Sequence, residues 1–256
     1  VHADDLALAL DEHLAERLLR RPGLPARELR ESRLAAQPGD EGANGIQAPA
    51  PAAAATDQLQ TKAVSTYVPQ PARHAVHVTI VMTMTNKAPS TSKSRSCTQY
   101  VFDPYYGYIP YTATCTTRTD YYYNAYEFWV ERDAKAFKVK ASSGTTSVKA
   151  AARKGDWRKV RVAFSPLNYG KTRTITLDYD LPAGGPRSTD ERRVGTAYSS
   201  FCVVGPGTDT GTVRVRIPAG FEMSLTKPMS SVATATVRTY SSGAMKEPWN
   251  FYSCLT

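Results

Sequence analysis

Hydrophobic and polar residues alternate with period two along most of the chain beyond residue 60. "HAVHVTIVMTMTN" sets Val76, Val78, Ile80, Met82 and Met84 against His77, Thr79, Val81, Thr83 and Thr85. Successive side chains of a strand point to opposite faces, so this stretch predicts a long, half-buried strand. "RKVRVAF" repeats the pattern with Val160, Val162 and Phe164, and "RTITLDYDL" with Ile175, Leu177 and Tyr179. "TVRVRIP" does so with Val213, Val215 and Ile217, and "GFEMSLT" with Phe221, Met223 and Leu225. Turn-forming stretches such as "SPLNYGK", "LPAGGPRSTDERR" and "GPGTDTG" separate these runs. Short alternating strands with frequent turns predict an all-β fold, an enlarged two-sheet antiparallel sandwich over residues 61–256.

The opening of the chain follows another rule. Leu6, Leu10, Leu14 and Leu18 recur every four residues within 4–21, with acids in the first turn and arginines in the last. That predicts a short amphipathic helix stopped by Pro22–Gly23. Residues 1–37 are therefore expected to be a helical or disordered segment. Residues 38–60, rich in Pro and Ala, are expected to be a flexible linker. Function is not expected in either part, and His2 and His13 there read as solvent-exposed.

Aromatic residues are concentrated. Twelve of the 25 fall within residues 100–130. "NAYEFWVER" alternates Ala125, Glu127 and Trp129 with Tyr126, Phe128 and Val130, so large rings lie on both faces and the strand is expected to be covered on both. "YVFDPYYGYIPY" is interrupted by Pro104, Gly107 and Pro110 and reads as a bent edge or a loop. Cross-strand packing accounts for most of these rings. Tyr105, Tyr106, Tyr108 and Tyr111, at the interruption, are the candidates for binding a glycan or a peptide.

Charge is uneven. Residues 1–60 carry six Arg and ten acids, and the rest carries 26 Lys plus Arg against 13 acids, within a net charge of +9. In the strands the basic residues alternate with apolar ones, which is the pattern of a wet sheet face and not of a phosphate-binding cluster. No nucleic-acid partner is expected. Four cysteines, Cys97, Cys115, Cys202 and Cys254, form no Cys-x-x-Cys pair. An even number in such a β protein points to two disulfides and an oxidising compartment. The pairing favoured is Cys97–Cys115, closing one excursion, and Cys202–Cys254, tying the strand at Phe201 to the last one. An extracellular or wall-associated location follows, although no export signal is visible in the given N-terminus. No transmembrane segment is seen either.

Catalytic chemistry finds little support. His74 and His77, the two histidines beyond residue 60, are three residues apart, so on a strand they face opposite ways and cannot share a metal. His-Glu-x-x-His is absent, and no Ser-His-Asp or Cys-His arrangement stands out. Asp178 and Asp180 share one strand face and read as a solvated acidic edge. No catalytic residue, metal site or cofactor is assigned.

Three stretches carry a resemblance. "TYVPQPARHAVHVTIVMTMTNKAPS", "LDYDLPAGGPRSTDERRVGTAYSSFCVVGPGTDTGTVRVRIPAGFE" and "WNFYSCLT" resemble the N-terminal sandwich region of secreted bacterial gluzincin (aminopeptidase N-like) metallopeptidase relatives. The most specific part is the Pro186–Arg187–Ser188 loop followed by Arg193, Tyr198 and Phe201. The resemblance covers residues 64–256. It implies a sandwich standing ahead of a zinc-holding catalytic domain, whose residues have no counterpart here. The expected function is a non-catalytic accessory or substrate-positioning half of a peptidase-like protein, with a downstream catalytic domain as a partner. The alternative is a carbohydrate- or peptide-binding module that uses the exposed tyrosines.

Overall fold

The structure is a computed structural model that describes residues 37–39, 58–185 and 187–256. The predicted helix at 4–21 lies outside the described residues. What is described is an all-β sandwich in three sheets. Eight strands form the largest, in the order β13 (Ser230–Ala233), β14 (Val237–Ser241), β12 (Thr210–Pro218), β2 (Leu59–Gln70), β3 (Ala75–Asn86), β9 (Thr172–Pro182) and β6 (Lys135–Ala141), with β15 (Met245–Lys246) on β12. The second holds β1 (Gln37–Gly39), β5 (Gly107–Glu131), β8 (Trp157–Asn168) and β7 (Thr146–Lys154), with β4 (Thr91–Asp103) on β5. The third is β10 (Arg193–Val194), β11 (Ser199–Val204) and β16 (Tyr252–Leu255). These strands pair antiparallel except β2 with β12.

The period-two reading explains the packing. Val76, Val78, Met82 and Met84 are buried while Val81, one step out of phase, is exposed. In β3, Val78 stands opposite Tyr67 of β2 and Tyr179 of β9, giving an inward row of large side chains across the middle of the sheet. Val160 and Val162 of β8, with Tyr126 and Phe128 of β5, meet that face from the second sheet, and Phe201 and Leu255 join from the third. Each such side chain removed from water contributes roughly 1.5–3 kcal/mol.

Polar ties fix the sheets against one another. Asn86, fully buried at the end of β3, donates both amide hydrogens to the second sheet, to Tyr121 O (3.0 Å) and Leu167 O (2.9 Å). Its side-chain oxygen accepts the Ala88 N–H at 2.8 Å. Tyr67, buried in β2, donates its hydroxyl hydrogen to Val204 O (2.9 Å) of the third sheet. Thr61 and Asp209 bond reciprocally, so the loop before β12 is held to the start of β2.

Several expectations need correction. "GFEMSLT" is not a strand: the Met223 N–H is taken by the Tyr240 hydroxyl (3.0 Å), and Leu225 makes only a single bridge, to Leu255. Part of the expected linker is strand. Residues 37–39 pair with β5 at Tyr122–Asp120, and β2 begins at Leu59, whose side chain is buried. Within "YVFDPYYGYIPY", Pro104 does lie in a turn, but Pro110 does not break the strand. β4 and β5 form one continuous hairpin whose turn is residues 104–106. Pro110 is tolerated because β5 has no neighbour on its outer edge there. Finally, β5 is covered fully on one face and partly on the other, where Ala125 is buried. Tyr126, Phe128 and Val130 are buried, whereas Glu127 and Trp129 are half-covered by Lys159, which pairs with Glu127 at 2.9 Å and lies over the Trp129 ring.

Two disulfides are present, Cys97–Cys115 within the β4–β5 hairpin and Cys202–Cys254 between β11 and β16. Cys202 and Cys254 are register partners in the third sheet, next to buried Phe201 and Leu255. Their loops of 18 and 52 residues are alike in the chain-entropy account, about 3 and 4 kcal/mol. Their settings differ. Replacing Cys202 and Cys254 by Ala should lower the melting temperature substantially. The same change at Cys97 and Cys115 should leave the main calorimetric transition nearly unmoved, because that hairpin projects from the core. Asn86→Ala should cost about 2–4 kcal/mol in denaturant unfolding, since it strips partners from buried carbonyls and from the Ala88 N–H.

Candidate functional site

The β4–β5 hairpin carries the first candidate surface. Residues 91–119 of the two strands pair with each other, and β5 reaches the body only from Asp120 and Tyr122 onward. The turn is set locally. Asp103 Oδ1 accepts the N–H groups of Tyr105 (2.8 Å) and Tyr106 (3.0 Å), and Gly107 takes the positive φ of 75° that closes the hairpin. Phe102 and Tyr108, opposite one another, stack edge to face at 5.4 Å. Tyr105, Tyr106 and Tyr108 are 92%, 83% and 73% exposed. Tyr111, also exposed, donates its hydroxyl hydrogen to Gln99 Oε1 at 2.7 Å. The four tyrosines thus sit together on a projecting tip and not in a groove.

A groove does exist elsewhere, near the C-terminal residue. Pro69, Pro71, Tyr198, Pro218, Phe221 and Met223 line a cavity of about 190 Å³, with Thr256 at its side. Tyr198 and Phe221 are exposed. The loop that carries the resemblance leads into it. Arg187 is exposed, Pro186 lies outside the described residues, and Ser188 accepts the Asp190 N–H through its hydroxyl oxygen (3.3 Å). A Cβ on Gly184 would stand 1.8 Å from Ser188 Oγ, so Ser188 would have to move to admit a side chain there. Arg193 lays its guanidinium over the Tyr198 ring at 5.4 Å and so holds that ring at the groove wall. Phe201 is in the core and lines nothing.

The histidines and acids regroup. His74 is not on a strand; it sits in the turn before β3 at φ 45°, with Nδ1 3.3 Å from Val194 O. His77 reaches across to β9, with Nδ1 2.8 Å from Asp180 and Nε2 3.7 Å from Asp178. Arg73 pairs with Asp180 at 2.5 Å, and Thr79 donates to Asp178 at 2.6 Å. Asp178 and Asp180 are therefore not a solvated edge. β9 is an interior strand between β3 and β6, and Asp180 is buried under its partners. Asp180 meets His77 and Arg73 through its two oxygens, and Asp178 Oδ1 meets Thr79 and His77, so the cluster ties β3 and the turn before it to β9 as a structural ladder. Among the described residues, no three His, Cys, Asp or Glu side chains gather where they could hold a metal ion.

One acid could not have been found from its sequence context. Glu131, the last residue of β5, has its Oε1 buried and without a partner among the described residues, while Oε2 lies 3.5 Å from the Tyr179 hydroxyl. Burial pushes its carboxyl up, and the Arg192 charge opposes that only in part. Burial also pushes the Tyr67 and Tyr179 hydroxyls well up, with the Glu131 charge adding to the effect. A raised native pKa means the folded state holds this proton longer than the unfolded state does. The stability it provides is present below the unfolded carboxylate value and is lost as pH rises through the native one. Glu131→Gln should therefore melt higher than the parent at pH 8, by about 2–4 °C, with the gap closing toward pH 4.

No family model matches the chain, and no curated protein matches it. Among solved structures it is similar to an M1 zinc metallopeptidase from Deinococcus radiodurans, at 12% identity and a TM-score of 0.38 over 78% of this chain and 43% of that one. It is also similar to yeast LTA4 hydrolase in complex with bestatin, at 6% identity and a TM-score of 0.40 over 78% of this chain and 28% of that one. The chain thus spans less than half the length of these peptidases.

Proposed function

We propose that the chain is a non-catalytic, extracellular or wall-associated β-sandwich that serves as the accessory, substrate-positioning half of a peptidase-like protein. The observation that carries this reading is the apolar groove beside Thr256. Exposed aromatic and proline side chains collected in one concave patch mark a contact surface, since water-facing sheet ends are otherwise polar. A polypeptide continuing from Thr256 would leave at the rim of the groove, where a following domain could cover Tyr198 and Phe221. Two disulfides fit an oxidising location, and no helix among the described residues is long and apolar enough to cross a membrane.

The four tip tyrosines favour a binding role in addition. A glycan or a peptide is the partner first suggested by the residue types.

The coding sequence beyond codon 256 tests the accessory role. It should encode a helix bearing His-Glu-x-x-His, and the purified 256-residue chain should bind no stoichiometric zinc and cleave no aminoacyl-p-nitroanilide. Zinc-dependent hydrolysis by the chain alone, or an unrelated gene directly downstream, would overturn it.

A further inference from the structure

The β4–β5 hairpin changes character along its length. The shaft, residues 91–99 and 112–119, is built mainly of Ser and Thr with Lys93, Arg95 and Arg118. The cap, residues 100–111, holds five tyrosines, Phe102, Val101 and Ile109, and only one charge, Asp103. That carboxylate is turned inward on the Tyr105 and Tyr106 N–H groups. A free two-stranded ribbon is marginally stable in water. This one is held by the Cys97–Cys115 bond and by the Phe102–Tyr108 ring pair, so its aromatic cap is kept extended instead of collapsing onto the body.

We propose that the cap anchors the protein to a phospholipid membrane by dipping into the bilayer interface. This surface is separate from the groove, so the proposal does not depend on the accessory role. A sugar or short peptide needs a concave site that covers most of its surface, whereas the rings of Tyr105 and Tyr106, and of Tyr108 stacked on Phe102, stand out on a convex tip. An interface asks for what this tip offers, a ring that can enter the acyl boundary and a hydroxyl that stays with headgroups and water. The dimensions agree. At roughly 3.3 Å per residue, the paired part of the cap from Tyr100 to Asp103 is about 10 Å deep, the depth to which interfacial elements bury.

The backbone is suited to that depth as well. Across the cap, Tyr100 to Asp103 pair with Pro110 to Gly107, and Pro104 and Pro110 have no N–H to leave unpaired. The outer strand edges still need water or headgroups, which limits the cap to the interface and excludes a spanning role. Charge complements the surface. Residues 61–256 carry twice as many basic as acidic side chains, and Lys93 and Arg95 on the shaft make no ion pair among the described residues. Anionic headgroups attract such a body toward the bilayer.

Vesicle flotation of the full chain tests this with two compositions, phosphatidylcholine alone and phosphatidylcholine with 30% phosphatidylglycerol. The chain should float with both and more strongly with the anionic one. Tyr105→Ser/Tyr106→Ser, at side chains that touch no core, should lose about tenfold in partitioning on both. Tyr106→Trp should shift its emission to the blue when vesicles are added. A parent that stays in the aqueous fraction overturns the proposal. So does a double serine variant that floats equally well, which would assign the contact to basic charge alone. A Tyr106→Trp emission that responds to a soluble polysaccharide or peptide and not to vesicles would overturn it in favour of a soluble ligand.

Discussion

The sandwich depends on how its sheets are held at a fixed offset, and the Asn86 amide is the strongest single constraint on that offset. Apolar burial drives the faces together but is indifferent to small sliding. A buried amide is not, because its donors and acceptor must all be met. Asn86 terminates β3, and both of its amide hydrogens go to carbonyls of β5 and β8. Its backbone closes the turn after β8 as well, donating to Lys171 O and accepting from Gly170 N. Tyr67 plays a comparable part toward the end of β11 in the third sheet, and Thr61 holds the loop before β12 within the largest sheet, so directional bonds stand beside the apolar contacts.

With the body fixed in this way, the charged groups along the β3–β9 seam and beside Trp129 are taken up by structure. His77, Asp178, Asp180 and Arg73 satisfy one another across β3 and β9, and Lys159 is occupied by Glu127 and Trp129. Functional surfaces are left to the periphery, where no ladder bond or core contact claims the side chain. The groove between Tyr198 and Phe221 lies where β12 ends at Pro218 and the chain leaves the sheet. The aromatic cap lies where β4 and β5 outrun every neighbouring strand. The two surfaces are chemically unlike, one concave and rich in proline, the other convex and rich in tyrosine. They can therefore serve different partners at once.

Glu131 shows the cost of that economy. It closes β5 beneath Tyr179 with one oxygen unpartnered among the described residues, and the neighbouring Arg192 charge is the largest influence opposing its burial. Arg192 is itself shared, donating to Asp133 at 2.6 Å and to Pro182 O at 2.8 Å. The end of β5 and the loop after β9 are thus joined by one guanidinium.

Alternation by itself determined the strand faces. The inward sets Val76–Met84, Val160–Phe164, Ile175–Tyr179 and Val213–Ile217 are all buried, because a pleated strand beside an apolar core leaves each residue only one side to take. The same rule misjudged Phe221 to Leu225, where the Tyr240 hydroxyl captures a backbone N–H that a ladder would need, a competition no local pattern contains. It placed Pro104 at a real turn but also took Pro110 for a break, since whether a proline interrupts a sheet depends on which strand edge has a neighbour. The exposure of Tyr105, Tyr106 and Tyr108, the ring of Arg193-held Tyr198 at the groove, and the burial of Asp180 and Glu131 were decided by tertiary structure alone. Each depends on what stands opposite across a sheet or loop, often more than 50 residues away in the chain. Sequence period reports which way a side chain points, and only the assembled sheets decide what is there to meet it.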